Sequence, residues 1–214
     1  MTTYADLQAD IADDLDDTTG EYSIQIKKAI VGAIRYCERN TYYFNETRDI
    51  TFPTVDGREW YTSVDNANIP TLVHIAGVWS EDSAGVRSVI QKSTPQELEL
   101  LADNAASRGE PYAYVYFGQQ IRLYPIPNDA VYTIRLQVCP YRLAPLVNDT
   151  DENAWLNEAY DMVKARAKYI IYKNTIKDAA LAAEALNDYN DQELSLKSET
   201  TSRNATGYVQ ATCF

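Results

Sequence analysis

The residues able to do chemistry in this chain are few, and most reaction classes fall away with them. His74 is the single histidine, so Ser-His or Cys-His nucleophilic catalysis could run through that residue alone, and a multi-histidine metal site is excluded. It lies on an alternating apolar run, Thr71 to Trp79, which reads as the place of a half-buried structural histidine. Cysteines at 37, 139 and 213 are odd in number and lack CxxC spacing, which excludes a zinc ribbon, a thioredoxin-like motif and a complete intrachain disulfide framework. Cys37 falls on the apolar stripe of a helix and reads as inert core. Cys139 falls on the strand face opposite Ile134, Leu136 and Val138, and Cys213, near the chain end, is a candidate for an intermolecular disulfide. Two carboxylates could act as acid and base in glycoside cleavage, but in a chain with 31 acids pairs arise by chance. Gly118-Gln119-Gln120 is a hairpin turn and not a phosphate cradle, since it does not lead from a strand into a helix with Lys and Ser/Thr following. No catalytic residue, cofactor or metal is nominated, and the expectation is that the protein is not an enzyme.

Charge narrows the partners. Against 19 Lys+Arg stand 31 Asp+Glu, a formal net charge of −12, whereas a protein that grips nucleic acid by neutralising phosphates needs the opposite sign. Residues 2–6 place Thr-Thr-Tyr-Ala-Asp where a secretory signal would place basic residues, and no window approaches the ~18 apolar residues that span a bilayer. No membrane partner is therefore expected, and the 214 residues suffice for a core without metals or disulfides. Seventeen tyrosines, against four Phe and three Trp, supply the amphipathic surface common at protein interfaces.

The elements that must position these residues follow from periodicity. Tyr4, Leu7, Ile11 and Leu15 make an apolar stripe, Thr3 with Asp6 fits a capping box, and Gly20 closes a first helix over residues 3–17. Ile26, Ile30, Ala33, Ile34 and Cys37 mark a second from Ser23 to about Tyr43, so residues 1–45 read as a helical hairpin. Residues 46–147 read as a β section. Two extended runs flank Asp56-Gly57, Thr71 to Trp79 and Val86 to Ile90 form a hairpin, and Thr94-Pro95-Gln96-Glu97 starts a short helix to about 106. Tyr112 to Phe117 and Ile121 to Tyr124 form another hairpin, with Tyr112, Tyr114 and Tyr116 on one face, and Val131 to Val138 continues a meander. Residues 148–197 read as helical, with one long helix from about Ala154 to Leu196 broken near Asn174. Residues 198–214, Ser/Thr-rich and aperiodic, read as an extended arm. The fold class is α+β: a helical bundle from the N-terminal hairpin and the long C-terminal helix, a central antiparallel β section with an inserted short helix, and a C-terminal arm.

The run Gln120-Ile-Arg-Leu-Tyr-Pro-Ile-Pro-Asn-Asp-Ala-Val-Tyr-Thr-Ile-Arg-Leu-Gln-Val, then Leu146-Val-Asn-Asp-Thr-Asp-Glu-Asn-Ala-Trp-Leu, then Ala159-Tyr-Asp-Met-Val-Lys opening an Ala-rich helix, resembles the head-to-tail adaptor proteins of tailed bacteriophages. That family includes the adaptors of short-tailed phages, sometimes called tail tubular protein A. The likeness is sharpest from 119 to 190 and lies in the order of the pieces, none of which is a chemical motif. It implies a structural protein of the virion neck, made in the host cytoplasm. Some twelve copies would form a ring under the portal after genome packaging, extend the DNA channel without specific DNA binding, and offer a platform to the next tail or neck protein.

Within that implied role, Thr200, Thr201, Arg203, Tyr208, Val209, Cys213 and Phe214 are candidate portal-contacting residues on the arm, although a Cys-Phe ending is not a family feature. Lys164, Arg166, Lys168, Lys173 and Lys177, in a stretch free of acids from Met162 to Lys177, are either an inter-subunit basic face or the solvated side of a helix. Asp10, Asp13, Asp14, Asp149 and Asp151 are candidates for a slippery channel wall, or a plain helix face and cap loop. Two other functional classes stay open: a tail-associated peptidoglycan hydrolase, needing two carboxyls with opposed pKa shifts, and a carbohydrate-binding accessory module, needing an exposed tyrosine row.

Overall fold

The computed structural model describes residues 2–47, 50–101, 107–128, 132–137 and 139–204. The chain divides into two compact units, Met1–Asn45 with Leu143–Phe214, and Glu46–Arg142.

The first unit is helical. Helix α1 (Tyr4–Asp14) starts in a reciprocal cap: the Asp6 N–H donates to Thr3 Oγ1 at 3.3 Å, and the Thr3 N–H donates to Asp6 Oδ2 at 2.8 Å. It buries Tyr4, Leu7 and Ile11, the stripe that its spacing predicts. Asp17 accepts from the Glu21 and Tyr22 N–H groups at 2.9 and 2.8 Å and so opens α2 (Ser23–Cys37). This helix stops at Cys37, six residues before the expected end. There Asn45 ties a turn, accepting from the Tyr42 N–H at 2.7 Å and donating to the Asn40 carbonyl at 3.0 Å. The turn sets Tyr42 and Phe44 edge-on to the fully buried Trp155, with ring centroids 5.9 and 4.9 Å away.

Asn153 caps α4 (Ala154–Glu158), and α5 (Tyr160–Ile171) follows. The expected break is a π turn, Tyr172–Ile176, ended by Lys177 at φ 62°. Helix α6 (Ala179–Asn204) then returns along α5, so that Tyr172 packs on Ala182 and Ala185 beside the turn and Arg166 reaches Tyr189 two turns further on. The C-terminal helix is thus a hairpin. It also runs longer than its composition suggests: residues 198–204 of the expected arm are helical. Ion pairs Glu193–Lys197 and Glu199–Arg203 at i,i+4 carry the helix on, and Thr200 turns its hydroxyl back to the Leu196 carbonyl at 2.8 Å. Tyr208, Val209, Cys213 and Phe214 lie outside the described residues.

The second unit holds β1 (Glu46–Thr47), β2 (Ile50–Pro53), β3 (Trp60–Tyr61), β4 (Gly77–Glu81), β5 (Arg87–Lys92), α3 (Pro95–Leu101), β6 (Ala113–Phe117), β7 (Gln120–Tyr124), β8 (Thr133–Gln137) and β9 (Cys139–Pro140). Seven strands form one sheet in the order β2-β8-β4-β5-β6-β7-β3, and β1 pairs with β9 in a separate ladder. The hairpins β4–β5 and β6–β7 form as expected, the second through Gly118 and Gln119 at φ 57° and 65°, the left-handed pair that a two-residue hairpin turn requires.

Three expectations need correction. The sheet is mixed, because β5 and β6 run parallel: parallel neighbours need a crossover, and α3 supplies it. Its cap is intact, the Glu97 N–H donating to Thr94 Oγ1 at 3.2 Å and the Thr94 N–H to Glu97 Oε2 at 2.9 Å, while residues 102–106 of the expected helix lie outside the described residues. The meander is absent, since β8 sits between β2 and β4 rather than beside β7. Strands β2 and β3 flank the Asp56-Gly57 turn yet occupy opposite sheet edges, because the turn is held to another segment: the Thr54 and Gly57 N–H groups donate to the Tyr132 and Pro127 carbonyls at 2.8 and 3.0 Å.

One sheet face buries Phe52, Val78, Ile90, Tyr114, Ile134 and Leu136, and α3 covers Ala113, Val115 and Tyr124 on the other. Tyr114 is therefore core, Tyr116 donates its hydroxyl to the Leu72 carbonyl at 2.8 Å, and of the three row tyrosines Tyr112 alone is exposed. His74 is exposed rather than half-buried, since regular alternation starts only at Gly77. Cys139 is buried beside Ile134 and Leu136, not opposite them: β8 ends at Gln137 and Cys139 pairs with Thr47 in the second ladder.

Trp155→Ala is expected to destabilise the helical unit by about 3–5 kcal/mol, the range for emptying a large buried aromatic site. Urea unfolding followed by circular dichroism reads the change.

Candidate functional site

Helix α5 and the π turn that follows it carry the basic cluster, and the structure shows what each cation faces. Lys164 and Lys168 stand one turn apart, as do Asp10 and Asp14 on α1, so the two helices meet through matched i,i+4 pairs. Asp14 Oδ2 lies 3.1 Å from Lys164 Nζ and 2.9 Å from Lys168 Nζ, and Asp10 Oδ2 accepts the Tyr160 hydroxyl at 2.7 Å with Lys164 at 3.8 Å. Burial pushes the Asp14 carboxyl up, but the hydrogen bonds from Lys168 and Lys164 outweigh it and the net shift is downward. Burial and then the bond to Asp10 raise the Tyr160 hydroxyl.

The remaining cations differ. Arg166 is held by π faces, its guanidinium 3.8 Å above the Tyr36 ring, 4.8 Å from Tyr169 and 5.1 Å from Tyr189. Lys173 donates to the Tyr169 hydroxyl at 2.9 Å, which holds that phenol below its ordinary pKa. Lys177 is exposed at the left-handed position that ends the π turn. The five residues grouped by sequence thus separate: two are neutralised by α1, and three lie along the flank marked by Tyr169.

The acids are drawn inward as well. Asp149 accepts from Lys27 and Gln8, each at 3.3 Å, and these bonds lower its carboxyl pKa. Asp151 accepts from the Val147 and Asn148 N–H groups, both at 2.7 Å, which lowers its own. The same loop turns its Asp149 and Asp151 carbonyls to the Ala5 and Tyr4 N–H groups at 2.9 and 3.0 Å, satisfying donors that the start of α1 leaves open. Asp13 is exposed, and its carboxylate makes no ion pair among the described residues.

Of the candidate arm, Thr200 is buried, Thr201 donates to the Lys197 carbonyl at 2.9 Å, and Arg203 stacks 3.7 Å above the Tyr43 ring while binding Glu199 at 2.6 Å. Burial and the 2.5 Å hydrogen bond to Glu158 push the Tyr43 hydroxyl up to about 12. Cys37 is fully buried, which pushes its thiol up to about 12 and makes it a poor nucleophile.

Sequence reasoning missed the tyrosine clamp on Arg166 and a second clamp in the sheet unit. There Arg122, nearly buried, binds Glu59 at 3.1 Å and Glu99, and lies 5.2 Å from the Trp60 ring. The pairing of Trp60 with Arg122 across β3 and β7 makes that contact, and it is invisible until those strands are known to be neighbours. Among the described residues no group of three or more His, Cys, Asp or Glu could hold a metal ion, and no helix is long and apolar enough to cross a membrane.

A family model described as SU10 adaptor protein matches residues 2–210. No curated protein matches the chain.

The Asp14 pair gives a signed pH dependence. A carboxyl whose folded pKa is depressed contributes stability above its unfolded pKa, and that contribution disappears as pH falls through the folded value. Asp14→Asn is therefore expected to cost about 1 kcal/mol at pH 7, the upper end for a partly exposed ion pair, and next to nothing at pH 2. Thermal unfolding of both proteins across that range measures the difference.

Proposed function

Because the chain belongs to the SU10 adaptor protein family, whose model spans all but Met1 and the last four residues, we propose that it is the head-to-tail adaptor of a tailed bacteriophage. In this reading twelve copies form a ring beneath the portal in the virion neck, prolong the DNA channel and present a docking platform to the next tail or neck protein. The breadth of the family match carries the reading, and the likeness to tail tubular protein A belongs to it.

Physical observations support a structural role. A duct that duplex DNA must traverse should offer few cations to phosphate, because each contact strengthens salt-dependent retention. The net charge of −12 agrees with that demand, and Lys164 and Lys168 are already paired with Asp10 and Asp14. Of the acids proposed for the channel wall, Asp13 has its charge least committed; Asp10, Asp14, Asp149 and Asp151 are engaged within the helical unit. The proposed portal contact is the C-terminal end, from Thr201 and Arg203 on α6 through Tyr208, Val209, Cys213 and Phe214, with Cys213 the proposed intermolecular disulfide.

The rival classes find less support. A hydrolase needs a carboxyl held neutral, whereas Asp6, Asp14, Asp17, Glu97, Asp149 and Asp151 are each displaced downward, toward the charged form. A sugar platform needs an exposed aromatic row, and Tyr114 is buried.

The isolated protein is expected to sediment mostly as a monomer and to form a closed ring when mixed with portal rings of the same phage. Sedimentation velocity reads both states. A protein that stays unassociated on the portal would overturn the adaptor reading.

A further inference from the structure

Two helices packed side by side leave one groove on each flank, and in the α5–α6 pair the two grooves carry opposite charge. On the first flank a cleft of about 310 Å³ continues into one of about 210 Å³. Its cations, Lys164 and Lys168, are already bound to Asp14, whereas Asp161, Glu184, Asp188 and Asp191 are exposed and make no ion pair among the described residues. On the second flank a cleft of about 380 Å³ runs between Tyr169, Lys173 and Lys177 on one side and Ala183 and Leu186 on the other. One carboxylate, Asp178, lines it, and Asp178 is occupied in capping α6, accepting from the Ala180 and Leu181 N–H groups at 2.9 and 3.0 Å.

We propose that these grooves are the two halves of one copy-to-copy contact, the acidic flank of the α5–α6 pair in one protomer receiving the basic flank of the next. The proposal rests on the ring reading and names the surfaces that would close the ring. A ring built by rotation uses two different faces of each subunit, and opposite flanks of one helix pair meet that requirement directly. A second copy is the occupant because both complementary halves lie on this chain. Most of each half is also uncommitted: Asp161, Glu184 and Asp191, like Lys173 and Lys177, make no ion pair among the described residues, while Asp188 lies in the field of Lys168. Ala183 and Leu186 with Tyr169 on one flank, and Leu181 with Tyr172 on the other, give each groove apolar surface to bury beneath its charges.

Charge swapping tests the contact. Lys173→Glu with Lys177→Glu makes both flanks acidic, and Glu184→Lys with Asp188→Lys and Asp191→Lys makes both basic, since of the four acids Asp161 alone then remains. Each variant alone is expected to form rings on the portal at least about tenfold less readily than the unaltered chain, because like charges then face each other. An equimolar mixture is expected to recover, since acidic and basic subunits can alternate around a ring of even number, and that recovery also excludes misfolding as the cause of either loss. Sedimentation on portal rings reads all four samples. Normal ring formation by either variant alone, or no recovery in the mixture, overturns the proposal while leaving the ring reading intact. Rings that form normally but no longer bind the next tail protein would assign the grooves to that partner and overturn it too. Failure of the unaltered chain to form rings removes the ring reading, and this proposal with it.

Discussion

The helical unit cannot be built from either end of the chain alone. Helices α1 and α2 bury Ile11, Ile30 and Ala33 in one core together with Trp155, Val163 and Ala167 from the far side of the sequence. The dependence is polar as well as apolar. The Tyr4 and Ala5 N–H groups find acceptors in the Asp151 and Asp149 carbonyls, and Asp14 finds its cations on α5. An isolated two-helix hairpin is marginal in water, so residues 1–45 gain their stability from a partner encoded about a hundred residues later. Such closure is tolerable because its entropic cost grows only logarithmically with the length enclosed. The intervening unit also holds its own ends together: Glu46 pairs with Pro140 and Thr47 with Cys139. The two ends of the sheet unit therefore lie on paired strands.

That architecture governs what the charges can do. Several acids are used close to home, as caps at Asp6, Asp17 and Asp151 or as pairs at Asp14 and Asp149. Each such use depresses a carboxyl pKa and makes the fold sensitive to acid, and each removes one charge from the set available to partners. Much of what stays uncommitted is sorted by sign on the two flanks of α5 and α6, where like flanks repel and unlike flanks attract.

The parts of this arrangement legible in the sequence are those decided within a few residues. Thr3 with Asp6 and Thr94 with Glu97 cap helices wherever they fall, and Gly118-Gln119 makes a tight turn whatever surrounds it. The stripe Tyr4, Leu7, Ile11 identifies a buried face because only one period fits it. The choice of strand neighbours is not local. Nothing near Asp56-Gly57 says that β2 will pair with β8 and β3 with β7, since the turn is held by the carbonyls of Pro127 and Tyr132. The candidate site divides along the same line. Five cations on one helix are visible in the sequence, but which are neutralised depends on α1 and α6. Arg166, the second of them, is taken up by tyrosines at 36, 169 and 189, a set that no spacing rule brings together.

The turn between α5 and α6 joins local conformation to the charge pattern. Lys177 holds φ 62°, a left-handed conformation costing a side-chain-bearing residue about 1–2 kcal/mol that glycine would avoid. Position 177 follows the C-terminal end of the α5 π turn, where a cation meets the negative end of the helix dipole, and Asp178 follows at the start of α6, where an anion meets the positive end. Both charges therefore suit the backbone that carries them. They act in different directions: Asp178 folds its carboxylate onto the Ala180 and Leu181 N–H groups, while Lys177 stays exposed along the groove. Glycine at 177 would relieve the backbone and remove a cation from the basic flank.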